Sequence, residues 1–347
     1  MTTLSAAPAI EPAATAVGRR TVRWVDAARN GRIVTADVWY PATAATALTR
    51  YEPIPGIAFE SANAHDDAAV EPGKYPLIVL SHGRTGMRFA YALLSEALAA
   101  RGAIVVAADH AGDVMSDWLG GTFVDDRTNE VNRVGDSGFV IDTLLGANEV
   151  AAASGFDPAV LAAIDHDRIA SIGHSYGAYT ALGAAAGVRG VPPDHRIGAV
   201  IGLQPYTRSM SETALGRVGT PTLLILSEFD TTAPIATDGD RPWALVQATP
   251  MWRLDLNAAA HHASSDMGLY LELAHQIPDL PPMLMAYVAM MTPDMVGEHL
   301  RPWRDGLLLQ LRAIWAFLDI TLRIDPERGS AEAASLAATP GLVLQRR

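Results

Sequence analysis

The chain has 347 residues, of which 49% are hydrophobic and 18% are charged, a composition typical of a packed globular protein rather than a disordered one. Its formal net charge of −12 and the absence of a basic stripe argue against a nucleic-acid partner and against attraction to an anionic membrane surface. The sequence contains no cysteine, which excludes disulfides, thiolate metal sites and a cysteine nucleophile.

The two ends of the chain differ in composition from the middle. Residues 1–20 are rich in Ala, Pro and Thr and lack a basic segment followed by an apolar one, so we expect a flexible lead-in and a cytoplasmic protein. No stretch reaches the ~18 apolar residues that a membrane span needs, so no integral membrane segment is expected. Residues 21–325 are expected to form one domain and residues 326–347 a loosely ordered tail, and no pattern indicates the oligomeric state.

The predicted elements begin with two strands joined by a turn at Asn30-Gly31. A long loop is then predicted over residues 41–74 and a second one over residues 112–136. Short apolar runs elsewhere predict buried strands at Leu77–Leu80, Ala103–His110, Arg168–Ile172, Ile197–Leu203, Thr222–Leu226 and Trp252–Leu256. Helices are predicted at Phe89–Arg101, Val140–Ala153, Tyr176–Ala185 and Leu307–Leu318. The alternation predicts an α/β protein whose central sheet is mainly parallel and flanked by helices.

The segment Gly173-His174-Ser175-Tyr176-Gly177 lies between a predicted strand and a predicted helix. Its glycines are compatible with simple tight packing. In a strand–turn–helix context, however, the pattern is typical of a strained turn that exposes a nucleophilic serine at the edge of the sheet. We therefore predict Ser175 as a nucleophile and His174 as a packing residue.

A serine nucleophile needs an acid and a base, which in proteins with this turn follow the serine in the order acid, then histidine. Asp230 follows the predicted strand at Thr222–Leu226 and is our first choice for the acid, with Glu228 as the alternative. His261 follows the strand at Trp252–Leu256 behind three alanines, and we prefer it as the base over His262.

An oxyanion hole is expected from two backbone N–H groups, one of Tyr176 and one of Arg84, which follows the strand at Leu77–Leu80. The side chain of Arg84 has two interpretations, a contact to an acidic substrate group or an ordinary surface arginine. No metal-binding or nucleotide-binding motif is present, so neither a metal nor a cofactor is expected.

With these motifs assembled, the chain resembles the dienelactone-hydrolase-related branch of the α/β hydrolases, close to the platelet-activating-factor acetylhydrolase group. The segments that carry the resemblance are VWYPA (38–42), residues 76–113, IASIGHSYGAYTAL (169–182), LILSEFDTTAP (224–234) and AAHHASSD (259–266). The resemblance implies an α/β-hydrolase fold with Ser175, Asp230 and His261 as a catalytic triad and with Tyr176 and Arg84 as oxyanion donors.

The activity that the resemblance implies is hydrolysis of small-molecule carboxylic esters by a serine esterase through an acyl-enzyme. A polyester hydrolase, lactonase, amidase or phospholipase-type acetylhydrolase is the alternative, followed by a non-catalytic binding protein, since one triad serves all these reactions.

The substrate pocket is expected outside the usual cap position. The interval 204–219, which precedes the acid-bearing strand, is too short for a separate cap domain. A methionine-rich segment follows the predicted base, and we predict that Met285 and Met290 line the substrate pocket because flexible thioethers adapt to varied ligands. Burial of these methionines in a helix core is the alternative.

Overall fold

The computed structural model describes residues 2–7, 15–43, 47–54, 57–146, 149–277 and 280–347. The described chain forms one sheet of twelve strands, β1 to β12 in chain order, at Thr2–Ala7, Ala16–Asp26, Arg32–Ala42, Leu48–Ile54, Ile57–Asp66, Tyr75–Ser81, Ile104–Ala108, Ile164–His174, Ile197–Leu203, Thr222–Ser227, Met251–Leu256 and Leu342–Arg346. The α-helices, α1 to α12, lie at Ala92–Ala100, Met115–Gly120, Asp126–Leu145, Glu149–Ala153, Pro158–Ala162, Tyr176–Ala186, Glu212–Gly216, Asp240–Leu245, Met267–Ala274, Pro282–Met291, Trp303–Thr321 and Pro326–Ala337.

The middle of the sheet is parallel, as predicted. Strands follow one another in the order β7, β6, β8, β9, β10, β11, and every pair in this series is parallel. Antiparallel β3 and β12 flank the series on its two sides. Only the short helix α7 lies between β9 and β10, so there is no separate cap domain at that position.

Side chains of the central strands alternate between two apolar cores. In β6, Ile78 and Leu80 belong to the core on the face that carries α1 and α11, whereas Leu77 and Val79 belong to the core under α3 and α6. This two-sided burial explains why the central strands appear in the sequence as continuous apolar runs. None of the described helices has the length and apolar character needed to cross a membrane.

The structure differs from prediction in two segments that were expected to be loops. Within residues 41–74, strands β4 and β5 form an antiparallel pair, and their buried Tyr51 and Phe59 pack against each other with ring centroids 5.2 Å apart. Within residues 112–136, helix α3 begins at Asp126, where the Asp125 side chain accepts a hydrogen bond from the Thr128 amide at 3.0 Å.

Neither terminus is as loose as expected in the residues that the structure describes. Strand β2 begins at Ala16, and residues 2–7 of the predicted lead-in pair with β5, while residues 1 and 8–14 lie outside the described chain. The predicted tail forms helix α12 and strand β12. Helix α12 buries Ala333 and Leu336 against α11, and β12 pairs along the whole of β11.

Candidate active site

The candidate catalytic residues lie at one edge of the sheet. Ser175 follows β8 directly, Asp230 follows β10 and His261 follows β11, while Arg84 follows β6. These strands are parallel, so their carboxyl ends meet at the same edge, where α/β proteins place their ligands. The fold thus brings together all residues of the predicted triad and both predicted oxyanion donors.

Ser175 has a strained backbone, with φ 53° and ψ −119°. Its amide donates to the Leu203 carbonyl at 2.9 Å, and its carbonyl accepts from the amides of Ala178 at 2.9 Å and Tyr206 at 3.0 Å. These bonds hold the turn in a conformation that non-glycine residues rarely adopt. The helix that begins at Tyr176 directs the positive end of its dipole at this turn.

Both glycines of the segment are required by close backbone packing. A Cβ atom on Gly173 would overlap the Gly177 carbonyl, and one on Gly177 would overlap the Ser81 carbonyl of β6. The glycines are therefore compatible with both interpretations, tight packing and a turn that exposes a nucleophilic serine. Tight packing is what allows the strained turn.

Asp230 and His261 form a buried pair. The Asp230 Oδ2 atom lies 2.8 Å from the His261 Nδ1 atom, and the other carboxylate oxygen accepts from the amides of Thr232 at 3.0 Å and Ala233 at 2.7 Å. A carboxylate accepts hydrogen bonds and does not donate them, so Nδ1 carries the proton and Nε2 is the basic nitrogen. The alternative acid, Glu228, is exposed and accepts from the Ala258 amide instead.

A cavity of about 520 Å³ opens at this edge and is lined by both Ser175 and His261. His262 lines it too, with its Nδ1 atom 3.3 Å from the Ser265 hydroxyl. Burial and, to a smaller extent, the neighbouring His261 lower the pKa of His262 to about 3. His262 is therefore a neutral wall residue, whereas His261 faces the carboxylate.

His174 links three loops by hydrogen bonds and is more than the packing residue we predicted. Its Nε2 atom lies 2.7 Å from the His261 carbonyl oxygen, which can only accept, so Nε2 carries the proton. Its Nδ1 atom therefore accepts from the Tyr91 hydroxyl at 2.7 Å, and the Tyr91 oxygen accepts from the Gly83 amide at 3.3 Å. Burial holds the pKa of His174 well below the usual range, which keeps the ring neutral.

Side-chain contacts fix the loop that carries Arg84. The Arg84 guanidinium lies 2.6 Å from an Asp126 carboxylate oxygen and also faces the Tyr176 ring at 5.4 Å. Buried Arg133 lies at 5.2 Å from the same ring, donates to the His82 carbonyl, and pairs with Asp113 at 2.7 Å. These contacts position the amides of Arg84 and Tyr176, and Asp126 pairs with the Arg84 side chain.

Two further buried histidines, His82 and His110, support this loop through hydrogen bonds. The Nε2 atom of His82 accepts from the His110 amide at 3.1 Å, and His110 contacts Asp136 at 3.1 Å through Nδ1. Burial lowers the pKa of both rings, that of His110 to about 4, and the cation of Arg133 adds to the effect. Both histidines are therefore neutral supports of the loop.

The structure separates the two predicted pocket methionines. Met290 lines the catalytic cavity although 59% of its surface is exposed. Met285 is 58% exposed and lies outside the lining of this cavity. The prediction for Met285 was wrong because the two residues are five positions apart on α10, a spacing that places them on different faces of a helix.

Sequence reasoning missed several residues around the site. Tyr91, Arg133 and Tyr270 touch the site or its loops from positions that carry no motif. His82 and His110 had a weak signal, because both stand at the ends of predicted strands. Among the described residues, no group of three or more His, Cys, Asp or Glu side chains is arranged to hold a metal ion.

Comparison with known proteins agrees with this architecture. Residues 59–131 match the model of the family described as platelet-activating factor acetylhydrolase, isoform II, which confirms the resemblance to that group over this stretch. The solved structure of a ferulic acid esterase from Streptomyces cinnamoneus is similar, with a TM-score of 0.69 and 22% sequence identity over 92% of this chain and 93% of that one. No curated protein matches the sequence. The structural likeness confirms the α/β-hydrolase fold.

Proposed function

We propose that the protein is a serine hydrolase that cleaves carboxylic esters through an acyl-enzyme. The observation that carries the proposal is the 2.8 Å bond from His261 Nδ1 to Asp230, which leaves Nε2 as the base in the cavity that Ser175 also lines. The family match at residues 59–131 and the structural neighbour support it, because both are named for enzymes that cleave esters.

In the proposed mechanism, the Ser175 Oγ atom attacks the ester carbonyl while His261 Nε2 takes the hydroxyl proton. Asp230 holds the ring and stabilises the imidazolium. The amides of Tyr176 and Arg84 donate to the oxyanion, and each such donor contributes about 3 kcal/mol to lowering the barrier. His261 then passes its proton to the leaving alcohol.

Deacylation repeats these steps with water. His261 removes a proton from the water that attacks the acyl-enzyme, and it returns that proton to Ser175 when the acid leaves. The buried rings of His174 and His262 stay neutral, so they do not compete with His261 for the proton.

A fluorophosphonate probe together with p-nitrophenyl acetate tests the proposal. The wild-type protein should be labelled and should release nitrophenol, and Ser175→Ala should abolish both, because the probe reacts only with an activated hydroxyl. Full labelling of Ser175→Ala would refute the nucleophile assignment.

A matched pair of carboxylate variants tests which of the two residues is the acid. Asp230→Asn should slow turnover by about three to four orders of magnitude, because the amide cannot hold the required tautomer of His261. Glu228→Gln should change turnover by less than about twofold, since its carboxylate contacts only a backbone amide at the surface. The reverse result would move the acid to Glu228.

A further inference from the structure

A second cavity, of about 330 Å³, lies beside the catalytic one. Its walls come from strand β5 and helices α9 and α10, through side chains such as Phe59, Leu271, Leu284 and Val288. None of its lining residues in the described chain is charged. This volume falls within the range of small-molecule sites, near its lower end.

The two cavities share a wall of five residues, Met87, Met115, Met267, Tyr270 and Tyr287. These side chains line both the cavity that holds Ser175 and the apolar cavity. Three of them are methionines, whose unbranched thioethers change rotamer at little cost. The shared wall can therefore yield to a ligand that reaches from one cavity into the other.

The two tyrosines of the shared wall make contacts within the protein. The Tyr270 hydroxyl donates to the Phe89 carbonyl at 3.3 Å, so its proton is committed within the protein. Tyr287 packs against Trp118, with ring centroids 6.3 Å apart. Because none of its described lining residues is charged, the second cavity favours an apolar ligand group over a charged one.

We propose that the second cavity binds an extended apolar chain or ring of the ester substrate while the ester carbonyl lies at Ser175. This inference rests on the proposed ester hydrolysis and adds to it a preference for substrates with one long apolar group. Burial of each methylene group in a hydrophobic pocket typically changes the specificity constant about tenfold or more.

The test fills the second cavity from α10. Val288→Trp places a larger side chain in the cavity, whereas Met285→Trp introduces the same side chain on the exposed face of the same helix, outside the lining of either cavity. Two substrate series are assayed, p-nitrophenyl esters from acetate to octanoate and acetates of alcohols from ethanol to octanol. The two series distinguish an apolar acyl group from an apolar alcohol group.

In the wild type, kcat/KM should rise with chain length in one of the two series. Val288→Trp should lower kcat/KM for the longest member of that series by about tenfold or more while leaving p-nitrophenyl acetate within about twofold. Met285→Trp should leave both values near those of the wild type.

Leu284→Ala serves as a second variant that does not depend on accommodating a larger side chain. It enlarges the cavity and should extend the range of chains accepted. Flat chain-length profiles in the wild type, or profiles unaffected by Val288→Trp and Leu284→Ala, would overturn the inference. Failure of the wild type to cleave p-nitrophenyl acetate or to react with the fluorophosphonate would instead refute the proposed ester hydrolysis.

Discussion

At the scale of single residues, His174 connects segments that are far apart in the chain. The Gly83 amide donates to the Tyr91 hydroxyl oxygen, and the Tyr91 hydroxyl donates to the His174 ring. The ring in turn donates to the His261 carbonyl. In each of these hydrogen bonds, only one assignment of donor and acceptor is chemically possible. We therefore infer that His174 is a positioning residue that sets the distance between the loop of the proposed oxyanion donor Arg84 and the proposed base His261.

Replacement of His174 tests this role. We expect His174→Met to lower kcat by about tenfold or more with little change in KM, because the His261 carbonyl loses its donor and the base loop shifts. His174→Gln, whose amide can donate and accept, should retain kcat within about threefold. Steady-state kinetics and the rate of fluorophosphonate labelling measure both effects.

A merely structural role for His174 predicts a different pattern. In that case Met and Gln should reduce kcat in proportion to their loss of stability, as measured by urea unfolding. Equal kcat values for the two variants at equal stability would contradict the positioning role.

The residues of the proposed triad could be predicted because each follows its own apolar strand in the expected order. The supporting residues could not be predicted, because their roles depend on contacts across long intervals of sequence. Tyr91 contacts His174 across 83 positions, and Arg133 contacts His82 across 51. No local pattern marks such partners, since each contact exists only after the sheet has brought its strands side by side.

At the scale of elements, the turn between β8 and α6 depends on how closely three backbones approach. Gly177 lies in the first turn of α6, directly against the carbonyl of Ser81 at the end of β6. The contact leaves no room for even one methyl group. The position of the proposed nucleophile Ser175 is thus coupled to the packing of α6 on β6.

Gly177→Ala should therefore destabilise the protein by about 1 to 3 kcal/mol, as expected for an overpacked contact. It should also slow fluorophosphonate labelling, because α6 must move away from β6. Gly138→Ala is the matched control, since a Cβ atom there meets nothing within 4 Å in the interior of α3. The control should stabilise the protein by up to about 1 kcal/mol through improved helix propensity.

Urea unfolding of the two variants measures these effects. Equal stability of Gly177→Ala and the wild type would show that the turn relaxes without cost, and it would contradict the coupling of turn and helix.

The elements that the sequence did not predict share one physical property. Their buried residues do not form a continuous apolar run in the sequence. Strands β4 and β5 bury only part of their residues, around Tyr51 and Phe59. Helix α12 is rich in Ala and Ser and packs on α11 at Gly329, where a Cβ atom would come within 2.7 Å of the Ala316 carbonyl. Such close backbone contact needs small residues rather than large apolar ones, so composition alone suggests a loose tail.

At the scale of the whole molecule, the fold buries the carboxyl group of Asp266 out of contact with water. Asp266 is fully buried next to Glu96, and one of its oxygens accepts from the Leu93 amide at 3.3 Å. Burial and, to a smaller extent, the nearby Glu96 raise the pKa of Asp266 to about 8. The folded protein therefore keeps this proton at pH values where the unfolded chain has lost it.

The stability of the molecule should consequently fall as the pH rises. Between the unfolded value near pH ~4 and the folded pKa of about 8, the folded state binds more protons, so this group lowers the free energy of unfolding by at most about 1.4 kcal/mol per pH unit. Asp266→Asn removes this dependence and should be more stable than the wild type near pH ~8. Urea unfolding of both proteins from pH ~5 to ~8 measures the difference.

A difference between Asp266→Asn and the wild type that stays constant across this pH range would contradict the prediction, because it would show that Asp266 has the same protonation in both states.

The hydrogen-bond chain through His174 has a consequence for how the molecule can acquire new substrates. It joins the end of β8 to the loops after β6 and β11, while the apolar cavity takes much of its wall from α9 and α10, which contribute no residue to these hydrogen bonds. The proposed chemistry and the proposed selectivity therefore depend largely on different segments of one polypeptide. Natural variation or deliberate redesign can replace residues that line the apolar cavity alone, such as Leu271 and Leu284, while the hydrogen bonds around His174 are inherited intact.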